Sequence, residues 1–109
     1  MARGVVWGDI RLVDFGRPDK TRPALILTRT PALGFLHTVT VAPITTTIRD
    51  VPTELRLGET EGMKRPCVAK LDALQTISLD RIGRHVGSVE SRHKRPIRDA
   101  LLFALELDE

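Results

Sequence analysis

Cysteine is almost missing. Cys67 stands alone in 109 residues, so no disulfide can form within the chain, which fits a reducing compartment. Histidine is as sparse. His37, His85 and His93 are scattered without metal-ligand spacing, so neither a metal centre nor a two-histidine acid–base pair is expected. Each is assigned to the surface or a loop. Aromatic residues make up 4% of the chain, which favours a packing role for Trp7 over stacking on a base. No apolar run approaches the roughly 20 residues of a membrane-spanning helix. Met1-Ala2-Arg3-Gly4 leads into Val5-Val6-Trp7-Gly8-Asp9 with no signal-peptide core, and no repeat, low-complexity tract or linker divides the sequence. These absences leave one cytoplasmic domain spanning 1–109, with no cofactor, as the expectation.

What is present is an ordinary globular composition, 41% hydrophobic and 28% charged. The net charge is +3, and its distribution says more than its size. Between positions 81 and 98 lie Arg81, Arg84, Arg92, Lys94, Arg95 and Arg98 against Glu90 alone, a balance suited to a polyanion or an acidic partner.

The organising stretch is Thr21-Arg22-Pro23-Ala24-Leu25-Ile26-Leu27-Thr28. Four consecutive apolar residues, 24–27, predict a strand buried on both faces. Pro23 cannot donate a ladder hydrogen bond and is expected at that strand's first residue. It also biases Arg22 toward an extended conformation, which holds a cation on rigid backbone at the strand mouth, as a phosphate site requires.

Around it the pattern predicts a strand within 5–15 with apolar groups on both faces, a turn-rich loop at 16–21, and a break at 30–35. A β-branched strand at 39–44 runs into Thr45, Thr46 and Thr47. Alternation at 53–57 predicts a half-exposed strand, followed by a polar loop at 58–66. Within 67–72 a period of two sets Cys67, Ala69 and Leu71 on one face and Val68, Lys70 and Asp72 on the other. Ser78 is a good N-cap for a single turn at 79–82, and 84–89 returns as a last strand. Ile97, Leu101, Ala104 and Leu105 recur at helical spacing, and Pro96 suits a helix that starts just before it. Leu102, Phe103 and Leu107 fall off that stripe, an argument for a homodimer. Five or six short strands and one terminal helix predict a small antiparallel barrel.

The segments Gly8-Asp9-Ile10-Arg11-Leu12-Val13-Asp14-Phe15-Gly16, Arg22-Pro23-Ala24-Leu25-Ile26 and Val41-Ala42-Pro43-Ile44-Thr45 come first. Thr76-Ile77, Arg81-Ile82-Gly83-Arg84 and Ala100-Leu101 follow them. In this order they resemble the MazF/PemK family of toxin endoribonucleases over nearly the whole chain. The resemblance implies a mainly β, SH3-like barrel with a C-terminal helix, acting as a homodimer. It implies metal-independent cleavage of single-stranded RNA, growth arrest, and inhibition by a cognate antitoxin. An acidic, partly disordered antitoxin would suit the basic segment.

The family's catalytic arginine and threonine fall on Arg22 and Thr45, and the basic residue and aspartate used by some members fall on Lys70 and Asp72. Lys20, Thr21, Thr46, Arg49 and Lys70 are the expected substrate contacts. The chain departs from the family pattern in a shorter loop at 16–21, in Arg11 where a tryptophan is usual, and in Ala73 and Gln75 after the strand aspartate.

A metal-free ribonuclease uses the RNA 2′-hydroxyl as nucleophile. The protein must help remove its proton, stabilise charge on the phosphorane oxygens and protonate the leaving 5′-oxygen. The guanidinium of Arg22 suits the second task, since its fork fits phosphate oxygens and stays charged. The Thr45 hydroxyl would donate to a phosphoryl oxygen. Asp72 would orient a base or accept a proton, or simply pair with Lys70. The products would be a 2′,3′-cyclic phosphate and a 5′-hydroxyl. A gyrase poison on the same barrel, a non-catalytic RNA-binding barrel and a plain structural barrel remain the alternatives.

Overall fold

The computed structural model describes residues 4–17 and 20–108. Pro18 and Asp19 of the expected 16–21 loop lie outside them, as do Met1, Ala2, Arg3 and Glu109. Seven strands precede one helix: β1 Asp9–Asp14, β2 Thr21–Ile26, β3 Thr38–Thr45, β4 Glu54–Leu57, β5 Cys67–Lys70, β6 Gln75–Ser78, β7 Ile82–Ser88 and α1 Lys94–Ala104. Every pairing is antiparallel, in the order β4-β5-β3-β2-β1-β7, with β6 on the first half of β3. The curled sheet with one terminal helix matches the expected barrel class. No helix among the described residues is long and apolar enough to cross a membrane.

Strand β3 is the axis of the curl. One edge pairs with β2; the other pairs with β6 through Val41 and with β5 from Ile44 onward. Pro43 falls in the gap between β6 and β5, where no ladder bond asks for its missing N–H. Pro23 solves the same problem differently. Instead of opening β2 it is the third residue, paired to Leu12 of β1 but short of the β3 pairing, which begins at Ala24.

As the unbroken apolar run predicts, Ala24, Leu25 and Ile26 are fully buried and feed both faces. Ile10, Leu25, Ala42 and Ile44 pack inward on Leu55, Leu57, Ala69 and Leu71, and Ile97 and Ala100 of α1 close over them. Val13, Ala24, Ile26, Val39, Val41 and Ile82 form a second cluster on the reverse face. Truncating a fully buried leucine or isoleucine here, such as Leu25, would cost about 2–5 kcal/mol.

Several local expectations shift. Strand β6 was not foreseen, because Gln75-Thr76-Ile77-Ser78 is polar and mostly exposed; the open edge of β3 makes it a strand. The period of two stops at Lys70. Leu71 and Asp72 lie in the following turn, and Val68, on the face shared with Lys70, is fully buried because β5 sits between β3 and β4 in a curling sheet. Ser78 caps its short turn as predicted, its hydroxyl accepting from Asp80 N–H at 3.3 Å.

Helix α1 begins two residues before Pro96, where the missing N–H is one of the helix's unpaired donors anyway. Its buried residues are Ile97 and Ala100, so the inward stripe lies nearer Ala100 than Leu105. Phe103, Leu105 and Leu107 are 51%, 56% and 66% exposed in the single chain.

Candidate active site

Arg22 and Thr45 are brought together by strand register. Ala24 pairs with Pro43 and Leu25 with Ala42; continuing that register by two residues sets Arg22 opposite Thr45. Opposed residues of an antiparallel pair project to the same face, within reach of long side chains. Both are half-buried. The backbone N–H of Thr47 donates to Thr45 Oγ1 at 3.1 Å. That bond uses an acceptor position of the hydroxyl and leaves its one proton free to donate.

Two clefts meet at this pair, because Arg22 and Thr45 line both. The larger, about 560 Å³, is also walled by Thr46, Lys64, Arg65 and Arg84 over a floor that includes Pro23, Ile44, Met63 and Val86. All four charged residues lining it are cations. The smaller, about 190 Å³, adds Thr47, Arg49, Glu54 and Lys70. Its one carboxylate is occupied: Glu54 accepts from the backbone N–H groups of Arg49 and Asp50. Among the described residues, none of Arg22, Arg49, Lys64, Arg65, Lys70 and Arg84 has an ion pair or a side-chain hydrogen bond. Uncompensated cations converging on one hydroxyl make a site for a polyanion.

A different hollow, about 620 Å³ beside Trp7, holds Arg29, Thr30 and Lys94. There the Thr30 hydroxyl accepts from the backbone N–H of Trp7 at 2.8 Å, and the Lys94 ammonium sits 5.2 Å from the centre of the Trp7 ring. Half-buried against the core, Trp7 packs as expected. Arg11, in the family's tryptophan position, is likewise engaged: its Nε donates to Gly83 O at 2.9 Å and its Nη1 to Asp9 Oδ2 at 3.3 Å.

Of the residues singled out from sequence, Arg22, Thr45, Thr46, Arg49 and Lys70 line the two clefts. Lys20, just before β2, and Thr21, its first residue, are exposed and line neither, and Asp72 sits in the turn after β5, outside both. Lys64, Arg65 and Arg84 were missed as cleft residues. The adjacent Lys64-Arg65 pair, within the polar loop at 58–66, is the signal for them that the sequence holds.

Next to the larger cleft lies a buried polar cluster. His93, expected at the surface, is 6% exposed. Its Nδ1 accepts from Glu90 N–H at 3.0 Å, which leaves Nε2 to carry the proton and donate to Glu61 Oε2 at 3.0 Å. Glu61 Oε1 also accepts from Gly58 N–H at 2.7 Å, and Arg92 Nη2 lies 3.5 Å from Oε2. Burial alone would raise the Glu61 pKa; the Gly58 amide, His93 and Arg92 together outweigh it and hold the carboxyl below its ordinary value. Gly62, which follows, touches the β7 backbone at Gly87, where an added Cβ would come within 1.9 Å of Glu61 O. Residues 62–65, the cleft wall, therefore start from a pinned point. Burial, with a smaller contribution from Glu61, pushes the Cys67 thiol up, consistent with its expected core role.

Comparison with known proteins bears on this geometry. The chain is 37% identical over 99 residues to endoribonuclease MazF3 of Mycobacterium tuberculosis, covering 91% of this chain and 96% of that one. The solved Mycobacterium tuberculosis toxin MazF-mt6 superposes with a TM-score of 0.86 at 37% identity, over 93% of this chain and 99% of that one. A mycobacterial endoribonuclease in complex with its cognate antitoxin gives 0.85 at 25% identity, over 97% and 99%. The family model of PemK-like, MazF-like toxins of type II toxin–antitoxin systems matches residues 7–105, the span that carries all seven strands and the helix. The resemblance read from ordered segments thus holds across the fold, and the chain belongs to the PemK/MazF toxin family.

Proposed function

We propose that this chain is a sequence-selective endoribonuclease toxin. It cuts single-stranded RNA, messenger RNA included, at a phosphodiester held between Arg22 and Thr45, with no metal ion in the step. The observation that carries the reading is the β2–β3 register, which sets a hydroxyl with its proton free to donate opposite a guanidinium unpaired among the described residues, where two cation-lined clefts meet.

The RNA 2′-hydroxyl gives up its proton to solvent water as its oxygen bonds to phosphorus. The bond from phosphorus to the 5′-oxygen breaks, and that oxygen takes a proton back from solvent, leaving a 2′,3′-cyclic phosphate and a 5′-hydroxyl. Arg22 receives the charge that grows on the non-bridging oxygens through paired N–H donors. Thr45 donates to one of the same oxygens, a bond that strengthens as charge develops and so lowers the barrier more than it tightens binding. Thr46, Arg49 and Lys70 contact the flanking nucleotides.

The toxin acts as a homodimer in the cytoplasm, under control of an acidic, partly disordered antitoxin. The exposed Phe103, Leu105 and Leu107 support a covering second copy. The antitoxin-bound relative and the basic run from Arg81 to Arg98 support the inhibitor.

The test is induction of wild type, Arg22→Ala and Thr45→Ala in cells, with mapping of RNA 5′-hydroxyl ends. Growth arrest with new ends is expected for wild type alone. Equal toxicity of a folded Arg22→Ala protein would overturn the reading in favour of a toxin that acts by binding a protein such as gyrase.

A further inference from the structure

We propose that the turn at residues 62–65 and Arg84 of β7 form a second phosphate-binding wall. On this proposal the RNA strand enters along Lys64, Arg65 and Arg84, crosses Arg22 and Thr45, and leaves along Arg49 and Lys70. The inference rests on the nuclease reading and extends it to Lys64 and Arg65, which neither the motif resemblance nor the strand pattern singles out, and to Arg84, to which the resemblance gives no role of its own.

Four observations carry it. Lys64, Arg65 and Arg84 are exposed cations that share the 560 Å³ cleft with Arg22 and Thr45, and no carboxylate lines that cleft. None of the three has an ion-pair partner among the described residues, so nothing in the described chain neutralises them. The floor beneath them is apolar at Pro23, Ile44, Met63 and Val86, which suits a ligand with flat apolar parts and charges along one edge, as a nucleotide chain has. Finally, the wall is held rather than loose. Glu61 is fixed by Gly58, His93 and Arg92, and Gly62 abuts Gly87 beside the cleft residue Val86. Cations on a fixed wall lose less freedom on meeting phosphates than cations on a free loop.

Counter-ion release gives a measurement that a structural role would not move. Each single-strand phosphate neutralised contributes about 0.7 to the slope of log affinity against log salt, so removing three such contacts lowers the slope by about 2. The experiment measures binding of a 2′-O-methyl RNA, which cannot be cut, by fluorescence anisotropy across a salt series. It compares wild type, the triple variant Lys64→Gln/Arg65→Gln/Arg84→Gln, and a charge-matched control, Arg17→Gln/Arg29→Gln/Arg56→Gln, whose residues line neither cleft and lie outside the basic run. Thermal melts confirm that each protein is folded.

The expected result is a slope reduced by about 2 and affinity weakened by roughly tenfold or more in the triple variant at low salt. The control should keep its slope within about 0.5 of wild type. An equal drop in the control would show a bulk charge effect and overturn the proposal. An unchanged slope in the triple variant, with weakened binding of poly-glutamate, would assign the wall to an acidic protein segment and overturn it as well. Failure of wild type to cut unmodified RNA, with the slope difference intact, would overturn the nuclease reading and leave the wall standing as an RNA-binding surface.

Discussion

On either side of Gly62 the molecule handles charge in opposite ways. On one side Glu61 is buried with a backbone amide, an imidazole and a guanidinium around it. On the other, Arg22, Lys64, Arg65 and Arg84 face a common space with no counter-charge among the described residues. A buried carboxylate must be satisfied, so the Glu61 cluster fixes shape and is closed to ligands. Cations left unpaired at a cleft raise the local anion concentration and add little to folding. The contrast separates positions that should change activity without stability from those that should change stability first.

The largest expected effect tests the open side. Arg22→Ala should lower single-turnover cleavage by about 10²–10³-fold, as loss of a preorganised charge donor does, and leave the melting temperature nearly unchanged. A large fall in melting temperature would erase the contrast. Next comes the closed side. His93→Ala removes two hydrogen bonds and leaves Glu61 short of a donor, which should cost about 2 kcal/mol in urea denaturation. His93→Gln can still present an N–H to Glu61 and should recover part of that loss.

Thr45→Ala should slow cleavage roughly thirtyfold, the equivalent of about 2 kcal/mol for one bond to a charged group, whereas Thr45→Ser keeps the hydroxyl and most of the rate. The smallest effect is in the pH dependence of stability. The folded-state pKa of Glu61 is depressed, so its stabilisation is present above the unfolded carboxylate value, 4.5, and is lost as pH falls through the lower folded value. Glu61→Gln should flatten that part of the stability profile below about pH 5, measured by urea midpoints. A variant as steep as wild type would show that Glu61 is not the group responsible.

The parts of the site readable in the sequence are those set by local backbone rules. Pro23 ahead of an unbroken apolar run marks a buried strand, and an alternating β-branched segment ending in Thr45 marks another. Their antiparallel pairing aligns Arg22 with Thr45; that register spans the 27–37 connection, and the family resemblance rather than the local pattern linked the two residues. What stayed hidden depends on tertiary placement. Strand β6 exists because β3 offers it an edge. Asp72 leaves the face of Lys70 because the chain turns at Leu71. His93 is buried because Glu61 folds back from 32 positions away, and no spacing rule links the two. Lys64 and Arg65 join Arg84 only when the 62–65 turn packs on β7.

Gly87 offers a way to adjust the enzyme without touching any charge. The space there is too small for a single methyl group, so alanine at that position would wedge the turn off the sheet and move Lys64 and Arg65 together while leaving Arg22 and Thr45 on their strands. The distance from the Lys64–Arg65 turn to Arg22 and Thr45 is therefore gauged by the thickness of one backbone, and on the proposed strand path a hydrogen atom on Gly87 would set the spacing between holding and cutting.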